Sequence, residues 1–212
     1  MDQRKGILIV VSGFSGSGKG TIMKELLEKH PDNYALSISA TTRSPRPGEA
    51  DGREYFFVSK EKFETMIQED ALLEYAQYVD HYYGTPKDYV FRQLEAGKDV
   101  ILEIEIQGAL KIREKYPDTL LLFVTPPSGE ELKKRLTGRG TEDESTIASR
   151  LSRAWQEAQG VESYDYLVIN DKLEECVQQV HSIIQNQHAC VVKNHRLIET
   201  IRTELKVFAE GE

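Results

Sequence analysis

The sequence predicts an α/β protein in three layers, a parallel sheet covered by helices on both faces. Short apolar runs rich in β-branched residues alternate with amphipathic helical patterns, as expected where helices join buried parallel strands. A glycine-rich segment lies between the first apolar run and the first helical pattern. The 212 residues, 39% hydrophobic and 29% charged, suit one globular domain with a substantial core.

The predicted strands are continuous apolar runs, which is typical of strands buried on both faces. They are Ile7–Val11, Val100–Ile104, Leu120–Val124 and Leu167–Ile169. The predicted helices have apolar residues three or four positions apart. They are Thr21–Lys29, Tyr89–Ala96, Gly108–Lys115, Glu130–Leu136 and Ile147–Gln159. In the last helix we expect Trp155 to be in the core or on a half-buried face, and Thr141 with Glu144 to form a capping box.

Three stretches depart from this alternation. Residues 37–86 contain turn-forming proline and glycine and a short aromatic run, which predicts a small mixed β insertion rather than another βα unit. Residues 137–146 are too polar for a core and predict a surface loop that serves as a lid. From Ala189 onward, apolar and charged residues recur at helical spacing, which predicts an accessory helix with a frayed end.

Charge and composition exclude several classes of function. The net charge is −8, so nothing favours binding to nucleic acid or to an anionic membrane, and any basic site must be local. The first apolar run has five residues, too few for a membrane span or a signal peptide, so we expect a cytoplasmic protein. Cys176 and Cys190 lie near His181 and His188, but their spacing matches no usual zinc pattern, and we expect free thiols.

The strongest local signal predicts a loop that binds the phosphates of ATP. Glycines in such a loop let backbone N–H groups turn toward phosphate oxygens, and the following helix adds its positive N-terminus. Lys19 supplies a mobile charge for the β- and γ-phosphates. The strict pattern has Ser or Thr directly after the lysine, whereas here Gly20 intervenes before Thr21. The alternative is a glycine-rich turn without a chemical role. The predicted ATP-binding residues of this loop are Gly13, Phe14, Ser15, Gly16, Ser17, Gly18, Lys19, Gly20 and Thr21.

A second candidate feature is the acidic end of a predicted strand, in the segment 98–105. This apolar strand is predicted to end in alternating carboxylates, which places the side chains of Glu103 and Glu105 on the same face. Buried acids at a strand end are costly unless they meet a metal, water or a cation, so we expect them near the phosphates. The alternative is an edge strand whose glutamates face solvent.

Together with the phosphate loop, six further segments resemble the guanylate kinases, a family of P-loop nucleoside monophosphate kinases. They are residues 39–46, 48–56, 73–76, 82–85, 103–105 and 138–141. The resemblance covers roughly residues 6–187 and implies a P-loop NTPase fold. It implies a core at 6–36, 97–136 and 151–187, a GMP-binding insertion at 37–96, a lid at 137–150 and a helical tail at 188–212. One departure is Phe14, where the family usually has proline, which lacks a backbone N–H and has a fixed φ.

The resemblance also implies a GMP site with a physical rationale. The forked guanidinium groups of Arg43 and Arg46 fit phosphate oxygens, and tyrosine hydroxyls complete that contact. Glu74 can accept hydrogen bonds from N1–H and the 2-amino group of guanine, whereas adenine has an acceptor at N1. Ser39 and Thr85 would complete the contact with the base. The alternatives are surface arginines, packed tyrosines and a solvent-facing glutamate. The implied GMP-binding residues are Ser39, Arg43, Arg46, Tyr55, Glu74, Tyr83, Thr85 and Glu105.

The implied reaction is in-line transfer of the γ-phosphoryl group of ATP to GMP, with Mg²⁺ as the cofactor carried by ATP. No general base is needed, since the acceptor oxygen is already anionic, and catalysis rests on positioning and charge neutralisation. Asn170 matches a loop near the adenine. No direct metal ligand is assigned, although Thr21, Glu103 and water are candidates. The implied catalytic residues are Lys19, Arg43, Arg135, Arg139 and Arg150.

Three other functions remain open from the sequence. The chain can be a non-catalytic binding module of the same fold, a kinase for another nucleoside monophosphate, or a basal P-loop ATPase. Lys19 and the arginines of the lid region argue against the binding module, and Glu74 argues against AMP. The expected partners are ATP and GMP, with dGMP as a further acceptor, and the sequence sets no oligomeric state.

Overall fold

Two β-sheets form the framework of the computed structural model, which describes residues 4–78, 80–138 and 143–210. The strands are β1 (Leu8–Gly13), β2 (Tyr34–Leu36), β3 (Ser39–Thr41), β4 (Tyr55–Phe57), β5 (Leu72–Tyr78), β6 (His81–Pro86), β7 (Asp99–Glu103), β8 (Leu120–Thr125) and β9 (Tyr166–Ile169). The main sheet has the order β2-β7-β1-β8-β9, and all of its pairings are parallel. The predicted parallel sheet is therefore confirmed, with the short strand β2 added at one edge.

The helices lie mainly in the connections between strands. They are α1 (Lys19–Lys29), α2 (Lys60–Gln68), α3 (Lys87–Glu95), α4 (Ile106–Lys115), α5 (Gly129–Thr137), α6 (Glu144–Ala158), α7 (Leu173–Gln187) and α8 (His195–Glu210). Each predicted helix is present, with ends that differ by a few residues. Among the helices of the described residues, none has both the length and the apolarity that crossing a bilayer requires.

The alternation of side chains along β1 divides the core into two halves. Ile9 and Val11 point to one face and pack with residues of α1 and α7. Leu8 and Val10 point to the opposite face and pack with residues of α3 and α4. This arrangement follows from the period of two along a strand, which sends successive side chains to opposite sides. The three-layer class predicted from the sequence is therefore confirmed.

The second sheet has four strands in the order β4-β3-β6-β5. Strand β3 pairs in parallel with β4 and antiparallel with β6, so the sheet is mixed, as predicted for this part of the chain. The helix α2 was not predicted. It begins after Ser59, whose side chain accepts a hydrogen bond from the N–H of Lys62, and it buries Phe63 against Ala40 and Leu72.

Two predictions for α6 are wrong. Trp155 is 69% exposed, because α6 buries Ala154, and the next residue is rotated by about 100° toward solvent. The N-cap is Asp143, whose carboxylate accepts a hydrogen bond from the N–H of Thr146 at 2.8 Å. A capping box requires Glu144 to be the third residue of the helix, but it is the first, because Asp143 is the N-cap. Thr141 lies outside the described residues.

The predicted accessory helix is present as α8. It follows a 3₁₀ turn at Val191–Asn194, and its apolar side chains, such as Leu205 and Phe208, are exposed. The frayed end was predicted for residues 209–212, but α8 continues through Glu210. Residues 211 and 212 lie outside the described part of the chain.

The cysteine and histidine residues that were considered as a metal site have other contacts. Cys176 is buried and Cys190 is exposed, and both are free thiols. His181 Nδ1 lies 2.7 Å from the hydroxyl of Tyr34. No cluster of three His, Cys, Asp or Glu side chains suited to a metal occurs within the described residues.

A buried carboxylate links the base of the main sheet to the C-terminal part of the chain. Asp99 is 2% exposed and accepts a hydrogen bond from the N–H of Ile7 at 2.9 Å. His188 Nε2 lies 2.8 Å from the same oxygen, and Arg4 Nη2 lies 3.8 Å from the other. Buried polar groups are costly without partners, so we expect loss of the Asp99 carboxylate to destabilise the contacts among Ile7, His188 and Arg4.

We predict that Asp99→Ala lowers the free energy of unfolding by about 2–3 kcal/mol, because the buried N–H of Ile7 loses its acceptor. The matched change Asp99→Asn keeps an acceptor oxygen and should cost about 1 kcal/mol. Urea unfolding of the two variants measures the difference. Equal losses would show that the acceptor is unimportant.

Candidate active site

The phosphate loop connects β1 to α1, as the sequence predicts. Helix α1 begins at Lys19, so the end of the loop lies at a helix N-terminus, where anions are favoured. Gly16 and Gly18 have φ angles of 90° and 91°, in the left-handed region that residues with a Cβ rarely adopt. A Cβ at Gly18 would lie 2.4 Å from Nδ2 of Asn170. The loop therefore requires glycine at this position.

Lys19 lies across the loop and lines a cavity of about 690 Å³. Its Nζ donates hydrogen bonds to the carbonyl oxygens of Gly13 at 2.6 Å and Phe14 at 3.1 Å. Glu103 lines the same cavity, and although its side chain reaches solvent, the neighbouring protein displaces much of the surrounding water. This desolvation raises the pKa of Glu103, and the charge of Lys19 opposes the shift.

Two residues that were predicted to contact ATP support the loop from behind. Asn170 is buried, and its Nδ2 donates to the carbonyl oxygen of Ser17 at 2.8 Å. Arg135 Nη2 donates to the backbone oxygen of Asn170 at 2.9 Å. Arg150 Nη1 donates to Ser15 Oγ at 3.1 Å, and Arg150 lines the cavity. These contacts fix the backbone that would surround a phosphate.

Three other predicted residues stand apart from this set. Arg139, predicted for the lid, lies outside the described residues. Gly20 and Thr21 are exposed in the first turn of α1. Thr21 is not among the described residues that line the cavity.

The loop also makes an apolar contact through Phe14. Its ring meets the ring of Phe123 edge to face, with centroids 4.9 Å apart. It also packs on the cluster that Leu132 and Leu136 of α5 form with Ala154 of α6. The aromatic side chain therefore joins the loop to two helices.

A second cavity of about 530 Å³ lies against the mixed sheet. The hydroxyl of Thr85, which is fully buried, donates to Glu74 Oε1 at 2.8 Å. Burial raises the pKa of Glu74, while the Thr85 hydrogen bond and the charge of Lys111 oppose the shift. The predicted GMP-binding residues that line this cavity are Ser39, Tyr55, Glu74, Tyr83 and Glu105.

The two predicted phosphate-clamping arginines lie beside the second cavity. Arg43 Nη2 contacts Glu49 Oε1 at 2.9 Å, and its guanidinium carbon lies 5.4 Å from the ring centroid of Tyr55, which lines the cavity. The backbone N–H of Arg46 donates to Glu49 Oε2 at 2.7 Å, and the side chain of Arg46 is exposed. Glu49 thus holds both ends of this turn.

The two cavities meet at the end of β7. Glu103, Ile104, Glu105 and Arg153 line both of them. The strand ends at Glu103, and Glu105 is the residue before α4, so the prediction of a strand through Glu105 is wrong. The helix start interrupts the strand geometry, yet both carboxylates line the cleft. The alternative of an edge strand is wrong, because β7 lies between β2 and β1. Its other part, that the two glutamates face solvent, is confirmed, because both are exposed.

Sequence reasoning missed three charged residues of the cleft. Arg153 and Glu157 line the first cavity, and Lys111 lines the second. The spacing of Arg150, Arg153 and Glu157 places them on one side of α6, which was a usable signal. It was overlooked because the helix was interpreted from its apolar face alone.

The chain is similar to known proteins in both sequence and structure. A family model described as guanylate kinase matches residues 5–187. A curated guanylate kinase from Caldanaerobacter subterraneus is 52% identical over 202 residues, which is 95% of this chain and 98% of that protein. Another, from Oceanobacillus iheyensis, is 50% identical over 100% of this chain and 99% of its own. The crystal structure of guanylate kinase from Anaplasma phagocytophilum has a TM-score of 0.72 at 29% identity, covering 93% of this chain and 95% of its own.

We predict opposite effects for two glycine substitutions in and after the loop. Gly18→Ala should lower the free energy of unfolding by about 1–3 kcal/mol, because the residue is left-handed and its Cβ would overlap Asn170. Gly20→Ala should raise it by about 0.5–1 kcal/mol, since the position is helical and has space. Urea unfolding tests both. Similar losses would contradict the loop geometry.

Proposed function

The chain belongs to the guanylate kinase family, and we propose that its two adjoining cavities hold ATP and GMP for the reaction of that family. The reaction transfers the γ-phosphoryl group of ATP to GMP and gives ADP and GDP. The observation that carries the proposed site is the shared wall between the cavities, formed by Glu103, Ile104, Glu105 and Arg153. Ligands in two such cavities would meet end to end.

In this proposal, ATP occupies the cavity of the phosphate loop. Lys19 would exchange the carbonyl oxygens of Gly13 and Phe14 for phosphate oxygens, since an ammonium group is a strong donor to both. Arg150 lines the same cavity and would neutralise charge on the transferring group. Arg139 belongs to the proposed lid, residues 137–150. Arg135 and Asn170 would act through the loop that they support.

GMP would occupy the second cavity, with its base against Glu74. The ionised carboxylate accepts from N1–H and the 2-amino group of guanine, and Thr85 orients it. Tyr55 and Tyr83 line the cavity, and the guanidinium of Arg43 lies over the ring of Tyr55, so these groups would hold the phosphate. Arg46 would join them by a movement of its exposed turn. Ser39 and Glu105 would complete the base and sugar side.

Positioning and charge neutralisation account for the rate in this proposal. The acceptor oxygen of GMP is anionic near neutral pH, so the cleft needs no general base. Water is the competing acceptor. We propose that the GMP-binding insertion, residues 37–96, and the lid close over the ligands to exclude it.

The donor atoms of the cleft suit Mg²⁺, which favours hard oxygen ligands and retains water. Glu103 offers a carboxylate in the cavity of Lys19, whereas Thr21, the other candidate ligand, does not line this cavity. When bound with ATP, the ion would neutralise charge on the β- and γ-phosphates. The protein would thus contribute few ligands, and the phosphates and water would supply the others.

The proposal extends to dGMP, which lacks the 2′-hydroxyl of GMP, because the proposed contacts of Glu74 and Arg43 are with base and phosphate. The substrates belong to purine nucleotide metabolism. We propose a cytoplasmic location, which suits the free thiols of Cys176 and Cys190 in a reducing compartment.

We predict that Lys19→Ala lowers kcat at least about a hundredfold, as expected when a charge-stabilising donor is lost from a transfer site. ADP formation from ATP, Mg²⁺ and GMP measures this, with AMP, dTMP and UMP as comparison acceptors. The matched control is Lys24→Ala, an exposed lysine of the same helix, which should keep normal turnover. Near-normal turnover of Lys19→Ala, or ADP formation that GMP does not stimulate, would overturn the proposal.

We predict that the KM for GMP rises as the pH falls, beginning above the ordinary glutamate pKa of about 4.3. Burial raises the pKa of Glu74, so the carboxylate becomes protonated at a higher pH and then has an O–H donor in place of one of the two acceptors for the guanine donors. The KM measured between about pH 5 and 8 tests this. In Glu74→Gln the KM should be higher and should lose the part of this dependence that Glu74 causes, while the part due to the GMP phosphate, with a second pKa of about 6, remains. The same pH profile in both proteins would exclude Glu74 as the cause.

A further inference from the structure

Arg153 occupies the boundary between the two cavities. Among the four described residues that line both, it is the one with a positive charge, and the others include Glu103 and Glu105. It lies on α6 three residues after Arg150, so the two arginines share one side of the helix. Arg150 contacts Ser15 of the phosphate loop. Helix α6 therefore brings one cation to the loop and another to the boundary.

The guanidinium of Arg153 bridges two carboxylates. Its Nη2 lies 2.5 Å from Glu105 Oε1, and its Nε donates to Glu157 Oε1 at 3.1 Å. The side chains of Arg153 and Glu105 are 46% and 68% exposed. Ion pairs this exposed contribute little to stability, so the fold gains little from this pair. We therefore expect the ion pair between Arg153 and Glu105 to matter for ligand binding in the cleft rather than for stability.

The position of Glu105 poses an electrostatic problem for the reaction. GMP and ATP would bring several negative charges to the junction where this carboxylate stands. Like charges repel more strongly when a closing cleft excludes water, because the effective dielectric constant falls. A guanidinium paired with Glu105 removes that repulsion. It also has five N–H donors, more than these two contacts require.

We propose that Arg153 is a positioning residue for phosphoryl transfer. It neutralises Glu105 and so allows this carboxylate to remain beside GMP without repelling the phosphates. This inference rests on the proposed function, because it assumes that both cavities hold phosphorylated ligands. Arg153 acts through Glu105 and does not itself contact the reacting atoms.

A double-mutant cycle tests this coupling. Arg153→Gln should raise the KM for GMP about tenfold, because the charge of Glu105 is then no longer neutralised. The effect on the KM for ATP should be smaller. In the Glu105→Gln background the same change should alter the KM for GMP by less than about twofold, because the charge to be neutralised is gone. Arg153→Lys keeps the charge and should restore most of the affinity. A purely structural role would not depend on Glu105 in this way.

Two results would overturn the inference. One is an equal effect of Arg153→Gln with and without Glu105→Gln, and the other is a normal KM in Arg153→Gln. Thermal unfolding checks that the variants are folded, and Arg202→Gln on the exposed helix α8 is the matched control. If the unmodified protein forms no GDP from GMP, the proposed function itself fails. If it does, a normal Arg153→Gln removes this inference alone.

Discussion

Hydrogen bonding between β1 and its two parallel neighbours sets the position of the groups in the cleft. Val11 pairs with Glu103 of β7, and Gly13 pairs with Val124 of β8. The phosphate loop, the acidic end of β7 and the connection to α5 therefore all begin at the carboxyl ends of neighbouring strands, where ligands of such sheets bind. A shift of the β7 register by one residue would turn Glu103 to the opposite face.

The charges of the cleft are arranged in pairs rather than as a basic patch. Lys19 contacts backbone carbonyl oxygens beside Glu103, Arg43 contacts Glu49, and Arg153 contacts Glu105. Each of these cations has a partner before any phosphate enters. In the proposed function, binding of polyanionic ligands would replace one set of interactions by another, so a local phosphate site is compatible with a net charge of −8.

The parts of the fold that follow from local pattern were predictable from the sequence. Buried parallel strands and a glycine-rich loop before a helix depend on neighbouring residues, and the structure contains both. The strand Tyr34–Leu36 was missed because three residues give too short a pattern, and it forms by pairing with β7. The exposure of Trp155 was not predicted, because it depends on which face of α6 packs against α5, and that face contains Ala154. Arg153 was missed because its proposed role depends on an ion pair with Glu105, which lies 48 positions earlier along the chain.

The ring of Phe14 has a mechanical consequence. It is wedged between Phe123 of the sheet and the apolar side chains of α5 and α6. Close-packed side chains transmit displacement, because interiors have few voids into which a ring can retreat. A displacement of α6 would therefore be passed through this ring to the backbone around Ser15. In the proposed function, closing of the cleft would therefore be coupled to the shape of the phosphate loop through the side chain of Phe14.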